Sequence, residues 1–93
     1  MTHGRQIVTT PGTAVQLSTD MTTYSRVMFQ PMRSNTGFIG VGGPSVRIRD
    51  GEQNTPSFVG GDQPDDFDFS SVRLSDLWLD ATVENEGVVW FAE

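Results

Sequence analysis

Apolar and polar residues exchange places at every second position in many short runs of this chain. No run keeps apolar residues at i, i+3, i+4 and i+7 over several turns. β-Branched and aromatic residues fill the apolar positions, and Gly, Pro, Asn, Asp and Ser interrupt the runs at short intervals. The pattern predicts an all-β fold, a small β-sandwich or barrel of about seven to eight antiparallel strands.

Strands are expected at Arg5–Thr10, ended by the turn dipeptide Pro11-Gly12, and at Thr13–Ser18, with Val15 and Leu17 on one face. The third, Tyr24–Met32, turns Val27 and Phe29 inward. Pro31 has no N–H for a ladder, which places that end at an edge or a bulge. Ser34-Asn35-Thr36-Gly37 reads as a turn in which Asn and Gly supply left-handed backbone. A fourth strand follows at Phe38–Val41 and a fifth at Ser45–Arg49, closed by Asp50-Gly51. Residues 52–66 are the least regular. A sixth strand is expected at Phe67–Val72, then a turn or single helical turn at Leu74-Ser75-Asp76. The seventh, Leu77–Val83, is expected to form a hairpin through Asn85-Glu86-Gly87 with the last, Val88–Ala92.

In that hairpin Leu77, Leu79, Ala81 and Val83 form one face, and Val88 and Trp90 point to the same core. The opposite face carries Trp78, Asp80, Thr82, Val89 and Phe91. Trp78, Val89 and Phe91 are large apolar groups on the side expected to meet solvent. Either a loop covers them, or the sandwich buries both faces, or they form a subunit interface, since a contiguous apolar patch tends to mark a contact surface.

Length and charge narrow the picture. A chain of 93 residues is read as one domain spanning 1–93, with residues 1–4 as a flexible N-terminal tail. The net charge is −6, and all six cations are arginine: Arg5, Arg26, Arg33, Arg47, Arg49 and Arg73. Residues 1–49 hold five arginines against one acid, and residues 50–93 one arginine against eleven acids. The overall sign disfavours nucleic acid, although the first half could present an arginine face. With no cysteine, zinc ribbons, disulfide frameworks and thiol catalysis are excluded. No apolar run is long enough to span a membrane as a helix, and the first residues lack the apolar core of a signal peptide.

Candidate chemistry is sparse. His3, the only histidine, sits at an end where nothing would hold it against a nucleophile. Gly37-Phe38-Ile39-Gly40-Val41-Gly42-Gly43 is followed by Pro44 and a strand instead of the helix a dinucleotide fingerprint needs, so these glycines are read as turn and close-packing positions. Asp62, Asp65, Asp66 and Asp68 could offer oxygens to a cation, but without the spacing of an EF-hand they read as a solvated loop. Asp76, Asp80, Glu84 and Glu86 show no spacing for carboxylate catalysis. Tyr24, Arg26, Phe29 and Arg33 could stack and neutralise a single strand, yet Phe29 reads as core. The expectation is a non-enzymatic protein with no catalytic, cofactor-binding or metal-binding residues.

Three stretches carry a resemblance. They are Gly12-Thr13-Ala14-Val15-Gln16-Leu17, then Ser34-Asn35-Thr36-Gly37-Phe38-Ile39-Gly40-Val41-Gly42, then Leu74 to Phe91 with its Leu74-Ser75-Asp76-Leu77-Trp78-Leu79-Asp80 and Glu86-Gly87-Val88. Together they resemble a family of small virion proteins of tailed bacteriophages. The resemblance covers most of the chain except residues 50–66, where Gly60-Gly61-Asp62 departs from the family's usual element. It implies a capsid decoration (cement) or head-fibre role, with the major capsid protein or another virion protein as partner. It further implies a homotrimer, no membrane or nucleic-acid partner, and assembly into virions in the host cytoplasm. A tail, neck or fibre-attached adaptor, or a host-surface binding module, is the alternative. The interface residues expected are Trp78, Val89, Phe91, Arg26, Arg33, Arg47, Arg49 and Arg5.

Overall fold

The computed structural model describes residues 2–48, 53–61 and 65–93, with 65–71 described by their backbone alone. It is all-β. The strands are β1 (Thr2–Val8), β2 (Val15–Gln16), β3 (Thr23–Pro31), β4 (Phe38–Gly42), β5 (Ser57–Val59), β6 (Asp65–Arg73), β7 (Trp78–Ala81) and β8 (Glu86–Ala92). A single 3-10 turn, Leu74–Asp76, links β6 to β7 as the sequence suggests. Among the described residues they form two antiparallel four-stranded sheets. The first runs β1-β8-β3-β6 and the second β2-β7-β4-β5.

Period-2 alternation builds the space between the sheets. Val8 from β1, Val27 and Phe29 from β3, and Val88 and Ala92 from β8 meet Ile39 and Val41 from β4 and Leu79 and Ala81 from β7. Leu17, Leu74 and Leu77 close the ends of this core. The rings of Phe29 and Phe58 bridge the two sheets edge to face, 5.6 Å between centroids. Burying a side chain such as Phe29 or Leu79 contributes about 1.5–3 kcal/mol.

Several expectations are corrected. The hairpin between the seventh and eighth strands does not form: β7 lies in the second sheet and β8 in the first. Residues 82–85 carry the chain from one layer to the other, with Asn85 in the left-handed region at φ 63° and its N–H donating to the Val8 carbonyl at 2.8 Å. Leu77, Leu79, Ala81 and Val88 face the core as expected and Trp90 packs half-buried against it, because an interlayer crossing and a hairpin can turn the same residues toward one core; Val83, expected inward, lies past the end of β7 in the crossing and is exposed. The positive φ falls on Asn85 and not on Asn35 or Gly37. Gly37 is required for another reason, since a Cβ there would run into Thr82 and Val83.

Residues 45–48 form no strand. The segment after β4 folds back over the outer face of the second sheet, where Val46 and Ile48 are buried. Gly40 and Gly42 make room for them: a Cβ on Gly40 would collide with Ile48 and Thr55, and one on Gly42 would press on Val46 at 3.4 Å. These glycines are close-packing positions. The segment is closed by Asn54, whose N–H donates to the Arg47 carbonyl at 3.0 Å and whose Oδ1 accepts from the Arg47 N–H at 2.9 Å. Within the stretch expected to be irregular, Ser57–Val59 forms the edge strand β5.

The N-terminal tail is also corrected. From Thr2 onward the chain is paired with β8, Thr2 opposite Ala92 and His3 opposite Phe91. Pro31 lies where β6 has already ended, since that pairing stops at Phe29 opposite Asp65, so its missing N–H breaks no ladder there. Opposite the chain end β3 carries a bulge: the N–H groups of Ser25 and Arg26 both donate to the Glu93 carbonyl, at 3.0 and 3.1 Å.

Candidate functional site: an apolar face rimmed by arginine

The outward face of the first sheet follows from its register. β3 points Val27 and Phe29 inward, so Arg26, Met28 and Gln30 face out. Gln30 pairs with Val89, which pairs with Arg5. Met28 pairs with Phe91, which pairs with His3. Two rows result, each with an apolar β8 residue flanked by a β1 residue that is exposed. Val89 is 40% exposed, and Phe91 and Met28 are half-buried.

These rows floor an open groove of about 510 Å3 bounded by His3, Arg5, Met28, Gln30, Val89 and Phe91. A second hollow of about 440 Å3 shares Arg5, Gln30 and Val89 with it and reaches Met32 and Arg33 past the end of β3. The apolar strip therefore carries cations at one margin, Arg5 and Arg33. Arg26 lies on the same face and pairs with the Glu93 carboxylate at 3.5 Å.

The expected interface set divides. Val89, Phe91, Arg5, Arg33 and Arg26 share this one face. Trp78 does not join them: it is on β7, opposite Gln16 and Gly42, on the outer side of the second sheet. The contiguous patch of Trp78, Val89 and Phe91 is thus split between opposite sides of the sandwich, because their strands lie in different layers. Arg47 also sits over the second sheet, half-buried, its guanidinium donating to the Val46 carbonyl at 3.0 Å. Arg49 lies outside the described residues. So does Asp62 of the acidic loop, while Asp65, Asp66 and Asp68 fall on β6 and not in a loop. Among the described residues no three His, Asp or Glu side chains converge as metal ligands. Phe29 is buried in the core and Tyr24 packs against it, so neither forms a stacking platform on this face.

Two carboxylates have roles that alternation alone misplaced or missed. Asp80, expected on the solvent side, is fully buried. Its Oδ1 accepts from the Gly12 N–H at 2.8 Å and from the Ala81 N–H at 2.9 Å. Gly12 has φ 88°, so the Pro11-Gly12 turn aims that N–H inward and lids Asp80. Glu86 is 7% exposed. Its Oε2 accepts from the Thr36 N–H at 2.6 Å and the Thr36 hydroxyl at 3.0 Å, and its Oε1 from the Gly37 N–H at 2.8 Å. Burial pushes the Glu86 carboxyl up, but these donors outweigh it and hold the group below its ordinary value. Asn35 clamps the same place, donating to the Gly87 carbonyl at 2.8 Å. The stretches that carried the sequence resemblance therefore hold one another: the Pro11-Gly12 turn on Asp80, and Asn35-Thr36-Gly37 on Glu86-Gly87. They fasten the fold, and the open face lies elsewhere.

No protein-family profile, curated protein or solved structure matches the chain.

Proposed function

We propose that this chain is a non-enzymatic structural protein of a bacteriophage virion, a capsid decoration (cement) protein that binds the outer head surface as a trimer. The observation that carries the reading is the open face of the first sheet. Val89 and Phe91 are held out of the core by the pairing of β8 between β1 and β3, with arginines beside them. An apolar strip of this kind costs solubility unless something covers it. A small sandwich offers it on a rigid support, and many weak copies on a repeating lattice add up by avidity. The resemblance in Gly12–Leu17, Ser34–Gly42 and Leu74–Phe91 supports the same reading.

The experiment is binding of the purified chain to phage heads that lack it, with copies counted by electron microscopy and head stability followed by heating. The reading expects many copies per head and a raised melting temperature of the particle. Val89→Asp should abolish binding, whereas Trp78→Asp, on the opposite side, should leave it unchanged in a chain shown to be folded. A few copies confined to the tail or neck would instead select an adaptor role, and equal loss in both variants would remove the first sheet as the docking face.

A further inference from the structure

We propose that copies of this chain join head to tail through the two free edges of the first sheet, β1 of one copy pairing antiparallel with β6 of the next. This deepens the assembly part of the proposed function and stands on separate observations.

Sheet order supplies the first. In β1-β8-β3-β6 the outermost strands are β1 and β6, and among the described residues β1 pairs only with β8 and β6 only with β3. A free edge presents unpaired backbone groups that template another strand. Direction supplies the second. Every neighbour in this sheet is antiparallel, so β1 and β6 run oppositely, and setting the β6 of one copy beside the β1 of the next continues the same alternation.

Charge supplies the third and chooses the pairing. On β1 the outward positions include His3 and Arg5, in rows with Phe91 and Val89. On β6 the register sets Asp66 opposite Met28 and Asp68 opposite Arg26. Both pairs are two residues apart along their strands. In an antiparallel joint one register places position 66 across from Arg5 and position 68 across from His3. Opposite charges directly across strands favour pairing and like charges oppose it. Acids at positions 66 and 68 oppose a second β6 edge, a second β1 edge offers Arg5 no acid to meet, and the mixed joint alone sets opposite charges across the strands. Such a contact is heterologous, so it makes a ring if the rotation per step closes and a chain if it does not.

The test is sedimentation of the full chain at about 0.1 M salt, where charges still act over roughly 10 Å. The wild type should self-associate. Arg5→Glu alone and Asp66→Arg alone should each weaken association on the order of tenfold, because like charges then face across the joint. The double variant restores opposite signs at every joint and should recover wild-type mass. Circular dichroism and thermal unfolding confirm that each variant is folded. Should either fail to fold, Arg5→Gln and Asp66→Asn remove the charge without reversing it and are expected to act in the same direction. A wild type that stays monomeric at its highest soluble concentration overturns the proposal, as do single variants without effect or a double variant weaker than both. A monomer that still coats phage heads would sink this contact and the trimer with it, and leave only the head-binding role standing. An oligomer with no affinity for heads would do the reverse.

Discussion

At the scale of single residues, Glu86 makes a clear prediction about pH. Its carboxylate takes three donors from a turn some fifty residues earlier in the chain, and its value in the folded protein lies below the ordinary 4.5. The unfolded chain therefore binds a proton more readily than the folded one. The stabilisation is full above about pH 4.5 and is lost as the pH falls through the folded value. Asp20 is also held low, first by the Tyr24 hydroxyl donating at 2.6 Å and then by the Thr22 N–H. Comparison with Glu86→Gln separates the two. That variant should lose about 1–3 kcal/mol at neutral pH, since an amide NH2 replaces one acceptor and leaves a donor of the turn unpaired. Its melting temperature should then change less than that of the parent between about pH 5 and pH 3, because Glu86 no longer titrates. Equal acid sensitivity in both proteins would place the proton-linked contact elsewhere. Neither this latch nor the Asp80 lid was legible in the sequence. A turn glycine and a carboxylate that is 68 residues away in the chain give no local sign of being partners.

At the scale of elements, faces were readable and neighbours were not. Alternation named Val27, Phe29, Leu79 and Val88 as inward, and all four are buried. It could not name which strand lies beside which, because the pattern reports one side of a strand and says nothing about its edges. The topology makes this severe. Among the described strands only β4 and β5 are both consecutive and paired, while every other connection crosses between the layers. The crossing at residues 82–85 thus read as a hairpin and moved Trp78 to the wrong side. The N-terminal strand shows the same limit. Residues 2–4 looked like a tail because they lack apolar alternation, yet they pair with the end of β8, and Gly4 lies so close to the Trp90 indole that a Cβ would approach it to 2.8 Å. Deleting residues 1–4 should therefore destabilise the domain, by about 1–3 kcal/mol in denaturant unfolding. It should also raise the solvent exposure of Trp90, visible as a red shift of tryptophan emission. An unchanged midpoint and spectrum would mean that this end of β1 contributes nothing to the sheet.

At the scale of the whole molecule, the division of charge along the chain becomes a division in space. Three cations of the first half, Arg5, Arg26 and Arg33, gather on one sheet face, while two acids of the second half, Asp80 and Glu86, are spent inside on backbone donors. The composition showed the imbalance, but only the register places Arg5 on one edge strand of that sheet and Asp65, Asp66 and Asp68 on the other. Salt then distinguishes the two contacts proposed for this face. Between about 0.1 M and 0.5 M the range of exposed charges shrinks from roughly 10 Å to a few ångströms. A head-to-tail joint guided by Arg5 and the acidic edge should weaken over that interval by something like tenfold in a sedimentation titration. It should not vanish, because backbone pairing along the strands is not screened. Docking through Val89 and Phe91 rests on apolar area removed from water, so binding of the chain to particles should hold or strengthen over the same interval. If both contacts fade together with salt, a shared electrostatic contact through the arginines outweighs the apolar strip, and Val89 is then the wrong residue to build the docking face around.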